Sequence, residues 1–245
     1  MVSARLIKLL KLIKVPYLTK KLFHGIAATT EHIPILKSVG KIKTIIDIGA
    51  NKGQFALAAR YVFPEAKIIS FEPLSAPAEK FNKLFKNDVN IVLNQVAAGP
   101  EKHTLPIHVS KKDDSSSLLP IGSRQSAIFP GTEESHTEEI KVAPLIHYIN
   151  EEDLVVPIFV KIDVQGYELE VLIGCEELNE FFDYIYVECS FIELYENQAL
   201  ADEVIQYLSK KSFRLKGIYN TYYDKKGVAI QSDFLFKREN SIENY

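Results

Sequence analysis

From residue 40 onward, short apolar runs alternate with longer stretches whose apolar residues recur at helical spacing. Runs at 45–48, 67–71 and 90–97 have the length and β-branched content of strands, and 52–63 and 75–85 between them read as helices. The pattern predicts βαβαβ. Runs at 157–162 and 183–188 continue it, each followed by a helix, from about Glu168 and about Glu196. Such alternation places the strands in a mostly parallel sheet with helices on both faces, an α/β fold. The last two runs, 213–219 and 232–236, flank the polar stretch TYYDKKG and read as an antiparallel pair. Two turn-rich stretches, DDSSSLLP at 113–120 and GTEESHTEE at 131–139, form an insertion before the fourth parallel strand. It reads either as a solvated excursion or as a lid over a binding site.

The first forty residues follow another pattern. Arg5, Lys8, Lys11, Lys14, Lys20 and Lys21 all precede the first acid, Glu31, and leucines and isoleucines fill the gaps between Lys8, Lys11 and Lys14. That spacing draws a basic stripe along a helix, which Pro16 ends. Two readings fit: a packing helix with a solvated basic face, or an interfacial helix that gives peripheral contact with an anionic membrane or an acidic partner. The apolar stretch is too short to span a bilayer and lacks the form of a signal peptide. The chain divides into a basic helical segment over 1–40 and one α/β domain over 41–245, since 245 residues at 47% hydrophobic content suit a single large core.

Charge and cysteine content narrow the function. A net charge of -3 gives no global footprint for nucleic acid, which is therefore not expected as a partner. Cys175 and Cys189 have neither CxxC spacing nor a histidine cluster nearby, so no metal site and no disulfide framework is expected, and a reducing, cytoplasmic compartment fits.

The stretch DIGANKGQF, 47–55, falls where the first strand hands over to the first helix. In an open parallel sheet, ligands bind at the carboxyl ends of the strands, near the point where strand order reverses. Gly49 and Gly53 allow a tight turn and close approach of a ligand, and Asn51 tolerates a left-handed backbone. Residues 47–53 read D-x-G-x-N-x-G. This departs from the dinucleotide fingerprint, with Asn51 at the second glycine position and the third glycine one residue early, so a pyrophosphate is disfavoured. Asp47 would repel phosphate but suits an ammonium group. Glu72, at the end of the second strand in ISFEP, is placed to accept hydrogen bonds from ribose hydroxyls. A nucleoside with a cationic amino-acid tail satisfies both acids, and S-adenosylmethionine is such a molecule. NAD satisfies only Glu72. An NAD-linked oxidoreductase and a non-catalytic nucleoside-binding module remain the alternatives.

With these residues in place, the chain resembles the FkbM-type family of S-adenosylmethionine-dependent methyltransferases. The resemblance runs through IIDIGANKGQF, FEP at 71–73, NQVAAG at 94–99, SSSL at 115–118 and, most specifically, VKIDVQGYELEVLIG at 160–174. It covers about 44–190 with the motifs in the family's order. It implies the Rossmann-like class I methyltransferase sheet of seven strands, the last antiparallel. It also implies methyl transfer to a hydroxyl of a sugar, glycan or small metabolite. By the same resemblance Asp47, Gly49, Ala50, Asn51, Gly53, Glu72 and Ser116 belong to the cofactor site, with Val96 and Ala97 near the adenine. Where the family often shows a Leu-Asp pair before the fourth strand, this chain reads Leu145-Ile146-His147.

Methyl transfer needs little covalent chemistry from a protein, because the sulfonium is already activated. The chain must align the acceptor oxygen and, for a hydroxyl, take its proton. Asp163, at the carboxyl end of its strand, is the first candidate base, Glu188 in YIYVEC the second and His147 the third. Strand alternation puts Lys161 and Asp163 on one face, with Val160 and Ile162 on the other. Glu168 suits either the first turn of a helix or the site. Asp163 with Glu188 offers the chemistry of a divalent-cation site, but nothing in the spacing demands a metal.

Overall fold

The structure, a computed structural model, describes residues 18, 19 and 25–239. The basic run from Arg5 to Lys14, Lys20 and Lys21, and the interfacial-helix expectation attached to them, lie outside the described residues. Strands β1 (Thr44–Ile48), β2 (Lys67–Phe71) and β3 (Ile91–Asn94) come first. Then follow β4 (Ala97–Ala98), β5 (His103–Ser110) and β6 (Glu134–Ala143), and finally β7 (Ile158–Ile162), β8 (Tyr184–Ser190), β9 (Phe213–Tyr223) and β10 (Ala229–Arg238). Seven of them form one sheet in the order β3-β2-β1-β7-β8-β10-β9. The strands from β3 to β8 run parallel, and β10 is antiparallel to both of its neighbours. The runs TIIDI and IFVKI are buried along their whole length, as strands covered on both faces must be.

Alternation along these strands sorts the core into two layers. Ile46, Ile48, Val160, Ile162 and Val187 face one side, where α5 (Glu168–Gly174) and α6 (Ala201–Lys210) contribute Leu172, Val204 and Leu208. Ile45, Ile68 and Phe159 face the other, against α1 (Ile33–Ser38), α2 (Gln54–Val62) and α3 (Ser75–Phe85). The remaining helix, α4 (Ser123–Ile128), belongs to the insertion. Burial at Ala201, Val204 and Leu208 follows the helical period, and each large apolar side chain buried this way contributes roughly 1.5–3 kcal/mol. Leu18, Ile26, Ala28, Ile35 and Leu36 join the second layer, so the described part of the first forty residues packs onto the sheet.

Three expectations need correction. The run at 90–97 is not one strand: β3 ends at Asn94, Val96 folds back to bond its carbonyl, and Ala97–Ala98 pairs instead with β6. The insertion is not a loop but a three-stranded sheet, β4-β6-β5, with its own small core of Leu74, Ile107, Ile140 and Val142. Its signal was the alternation Leu105, Ile107, Val109, which Pro106 obscures. Proline is tolerated there because β5 is an edge strand. The helix expected from Glu196 begins at Ala201. Gln198 delays it: its side chain accepts the N–H groups of Leu194 and Tyr195 and donates to Ser190, and Asn197 is left-handed at φ 60°. This ties 194–198 into a compact loop.

Candidate active site

Strand order reverses between β1 and β7, and a cavity of about 690 Å³ opens across the carboxyl ends of the strands there. That is where an open parallel sheet binds ligands. The β1 turn comes extremely close to β7. Gly49 has φ 76°, and a Cβ on it would lie 1.9 Å from the carbonyl oxygen of Asp163, so no larger residue fits. The N–H groups of Gly49 and Ala50 both reach the carbonyl of Phe71, at 3.1 and 2.9 Å, which fastens the turn to the end of β2. Asn51, at φ 47°, then directs its N–H to Glu72 Oε2 at 3.0 Å, while Leu74 N–H donates to Oε1 at 2.9 Å. Burial pushes the Glu72 carboxyl up to about 7, against those two donors. Gly49, Ala50, Asn51, Glu72, Val96 and Ala97 all line the cavity, and so does Ser116, whose Oγ accepts the N–H of Ser110.

Two of the expected cofactor residues stand elsewhere. Asp47 is fully buried and does not line the cavity. It lies directly across from Lys161 in the β1–β7 register, with the ammonium 3.4 Å from Oδ1. Lys161 thus occupies the place expected for a ligand's ammonium, and it also donates to the Gly49 carbonyl at 3.0 Å. Burial pulls the Lys161 ammonium down, but Asp163 and Asp47 outweigh it and hold the group above the usual lysine range. Gly53 caps α2 at φ 90°, where a Cβ would meet the Phe85 ring at 2.6 Å. Its role is helix packing.

The other flank of the cavity is acidic. Asp163 accepts the Gln165 amide at 2.8 Å and lies 3.5 Å from the Lys161 ammonium. Gln165, left-handed at φ 56°, also donates to Glu188 at 3.2 Å and accepts the Tyr195 hydroxyl at 2.8 Å. The second oxygen of Glu188 takes the Gln231 amide at 2.8 Å. Burial, then Asp163 and Asp233, raise the Glu188 carboxyl well above its usual range. Asp233 faces Glu188 in the β8–β10 register and accepts from Tyr186 and Asn220 at 2.8 and 2.7 Å. His147, by contrast, is exposed on the short turn Leu145–His147 and does not line the cavity. Glu168 also stays outside it; its Oε1 accepts the N–H groups of Val164 and Gly166 at 3.1 and 3.0 Å and closes the turn before α5. Residues outside the quoted motifs complete the site, His32, Asn220, Gln231 and Asp233, together with Gln165 from the 160–174 motif, which no expectation named. Among the described residues, no group of three or more His, Cys, Asp or Glu is placed to hold a metal ion, and no helix is long and apolar enough to cross a membrane.

A seven-stranded sheet of this order, antiparallel only at β10, with an acid-ended second strand beside a glycine turn, defines the class I Rossmann-like methyltransferase fold. The methyltransferase FkbM domain matches residues 47–215, and the chain belongs to that family. It is similar to Methyltransferase 1 of Beauveria bassiana (strain ARSEF 2860), with 24% identity over 157 residues, 59% of this chain and 63% of that protein's length. Among solved structures, it resembles a protein of the NADB-Rossmann superfamily from Streptococcus agalactiae at a TM-score of 0.49, with 9% identity over 89% of this chain and 72% of that one. It also resembles an rRNA methylase from Streptococcus thermophilus at a TM-score of 0.48, with 10% identity over 85% of this chain and 94% of that one. Likenesses this remote carry no argument about chemistry.

The family's cofactor is S-adenosylmethionine, and the residues present suit it. A carboxylate has about four lone-pair sites, so Glu72, with one N–H on each oxygen, still has room for a ribose diol. Phe71, Leu74, Val96 and Ala97 add an apolar wall beside it for a base. The NAD-linked alternative is left without support.

Proposed function

We propose that this chain transfers a methyl group from S-adenosylmethionine to a hydroxyl of a sugar, glycan or small polyhydroxylated metabolite. The observation that carries this reading is the composition of the flank beyond β7. Asp163, Glu188 and Asp233, interleaved with the amides of Gln165, Asn220 and Gln231, present acceptors and donors at hydrogen-bonding spacing, which is the chemistry that recognises a polyol. The same acids disfavour phosphorylated acceptors and nucleic acid.

The cofactor, when bound, supplies a methyl group already activated for transfer. Glu72 would hold it through the ribose, and Val96, Ala97 and the Gly49–Asn51 turn, which line the same cavity, would bind the rest of the nucleoside. Asp163 accepts a hydrogen bond from an acceptor hydroxyl, and Lys161 fixes that carboxylate and the Gly49 carbonyl together. Glu188, with an amide donor on each of its oxygens and its carboxyl raised above the usual range by burial, holds the wall. Alignment of this kind can supply roughly 7–11 kcal/mol of a barrier.

Incubating the purified protein with S-adenosylmethionine and a panel of methyl glycosides tests the reading. The expected result is release of S-adenosylhomocysteine and an O-methylated sugar, reduced at least about 10²-fold in Asp163→Ala. Transfer to amines or carboxylates in place of hydroxyls would contradict it. Peripheral membrane contact through the basic segment belongs to this proposal as well, and so does a cytoplasmic location, which the free, buried Cys175 and Cys189 suit. Liposome binding unchanged by removal of residues 1–25 would sink the membrane contact.

A further inference from the structure

The proposed reaction leaves one group unassigned, the base. His32 lines the same cavity from the turn Thr30–His32, its ring set edge-on against Phe55 and Tyr186 with centroids 5.6 Å from each. Its Nδ1 lies 3.0 Å from the Tyr186 hydroxyl. Tyr186 in turn donates to Asp233 Oδ2 at 2.8 Å, and burial pushes the phenol upward, so it keeps its proton and has only its oxygen to offer His32. With the phenol proton committed to Asp233, and the Asn220 amide nitrogen, 3.4 Å from Nδ1, directing its two hydrogens at the shorter contacts to Asp233 and Tyr186, Nδ1 carries the hydrogen of that bond. The neutral ring then has its lone pair on Nε2, which makes no hydrogen bond to a described residue. Asn220 supports the array from β9, donating to Asp233 at 2.7 Å and to the Tyr186 oxygen at 3.2 Å.

We propose that His32, through Nε2, is the base that removes the proton from the acceptor hydroxyl, and that Tyr186 and Asp233 set its tautomer and stabilise the imidazolium that forms. The inference rests on the methyltransferase reading above. The hydroxyl proton passes to Nε2, and the acceptor oxygen uses its electron pair to form the bond to the methyl carbon as the carbon–sulfur bond breaks with its pair going to sulfur. Asp163, already bonded to Gln165 and paired with Lys161, is left to hold the acceptor. His32, Asn220 and Asp233 lie outside residues 47–215, and Tyr186 lies within them.

The groups facing the ring are Asp233 from β10, Tyr186 from β8, Lys161 from β7, Asp163 just after it, and Glu31 on its own turn. Burial lowers the His32 pKa and Asp233 opposes it, with the net shift downward, which leaves the ring neutral at physiological pH.

Imidazole nitrogen NMR on the full chain, with His32 assigned by comparison with His32→Asn, reads the tautomer without an acceptor. The expected spectrum shows Nδ1 protonated and Nε2 bare at neutral pH, titration below the usual value of about 6.5, and mixed tautomers in Asp233→Asn. A ring protonated at Nε2, or charged at neutral pH, overturns the proposal. With a methyl glycoside as the acceptor probe, His32→Asn keeps an amide donor toward Tyr186 but has no base. It should lower kcat about 10²- to 10⁴-fold and abolish the acid limb of the pH profile, with cofactor affinity by calorimetry within about twofold. His32→Gln serves the same purpose if the first variant misfolds. A kcat within about threefold of the parent overturns the assignment. Loss of cofactor binding by the unmodified protein would count against the methyltransferase reading itself, whereas binding with undiminished turnover in His32→Asn counts against His32 alone.

Discussion

The two flanks of the cavity are assembled differently. On the β1–β2 flank the working contacts join residues one strand-helix-strand step apart: the Gly49–Asn51 turn grips Phe71 and Glu72, and little else is needed. On the β7–β10 flank Gln165 likewise reaches Glu188 across one strand-helix-strand step, but His32, Tyr186 and the β9–β10 hairpin that carries Asn220 and Asp233 converge from three distant parts of the chain. A flank built from short-range turns can be shared across a family as contiguous motifs. A flank built from sheet register and an N-terminal turn can vary with the acceptor while the cofactor side stays fixed.

The largest effect should come where the flanks meet. Gly49→Ala places a Cβ against the Asp163 carbonyl at a left-handed position, and should cost roughly 3–5 kcal/mol in urea unfolding. A loss under about 1 kcal/mol would show that the β1 and β7 ends are not held rigidly together.

Next is the turn that opens α5. Burial, offset by its N–H donors, pushes the Glu168 carboxyl up to about 7 from 4.5 in the fold. Its contribution to stability is therefore complete below about pH 4.5 and is lost as pH rises through about 7. Glu168→Gln keeps the Oε1 that accepts both N–H groups but does not titrate. Above pH 7 it should be more stable than the parent by up to about 3 kcal/mol, with little difference at pH 4. Equal stability at both pH values would show that the carboxylate is not held at that cost and would reopen a role for it in the site.

The smallest effect belongs to His147→Ala. An exposed side chain away from both flanks should leave stability within about 0.5 kcal/mol and turnover unchanged. A large loss of turnover would bring the turn at Leu145–His147 back into the site.

The same contrast decides what could be read in advance. The apolar runs and turn chemistry located β1, β2, β7, β8, the antiparallel β10 and the cavity-lining residues from Gly49 to Glu72, because each is a local pattern. The strand position of Asp47 suits a ligand site; what the pattern cannot show is that Lys161 stands opposite it in register and fills the space. Sheet register also hid Asp233, which meets Glu188 only once β10 is inserted beside β8. His32 carried no motif at all. Its meaning comes from Tyr186, far away in sequence, and from the packing of its turn on Phe55.

The most direct test of the central claim is calorimetric titration with S-adenosylmethionine, using the unmodified chain and Glu72→Gln, with NAD as the control. The account expects saturable binding to the unmodified chain, weakened at least about tenfold in a folded Glu72→Gln, and no response to NAD. No heat with the folded, unmodified chain, or equal affinity in both proteins, would contradict it.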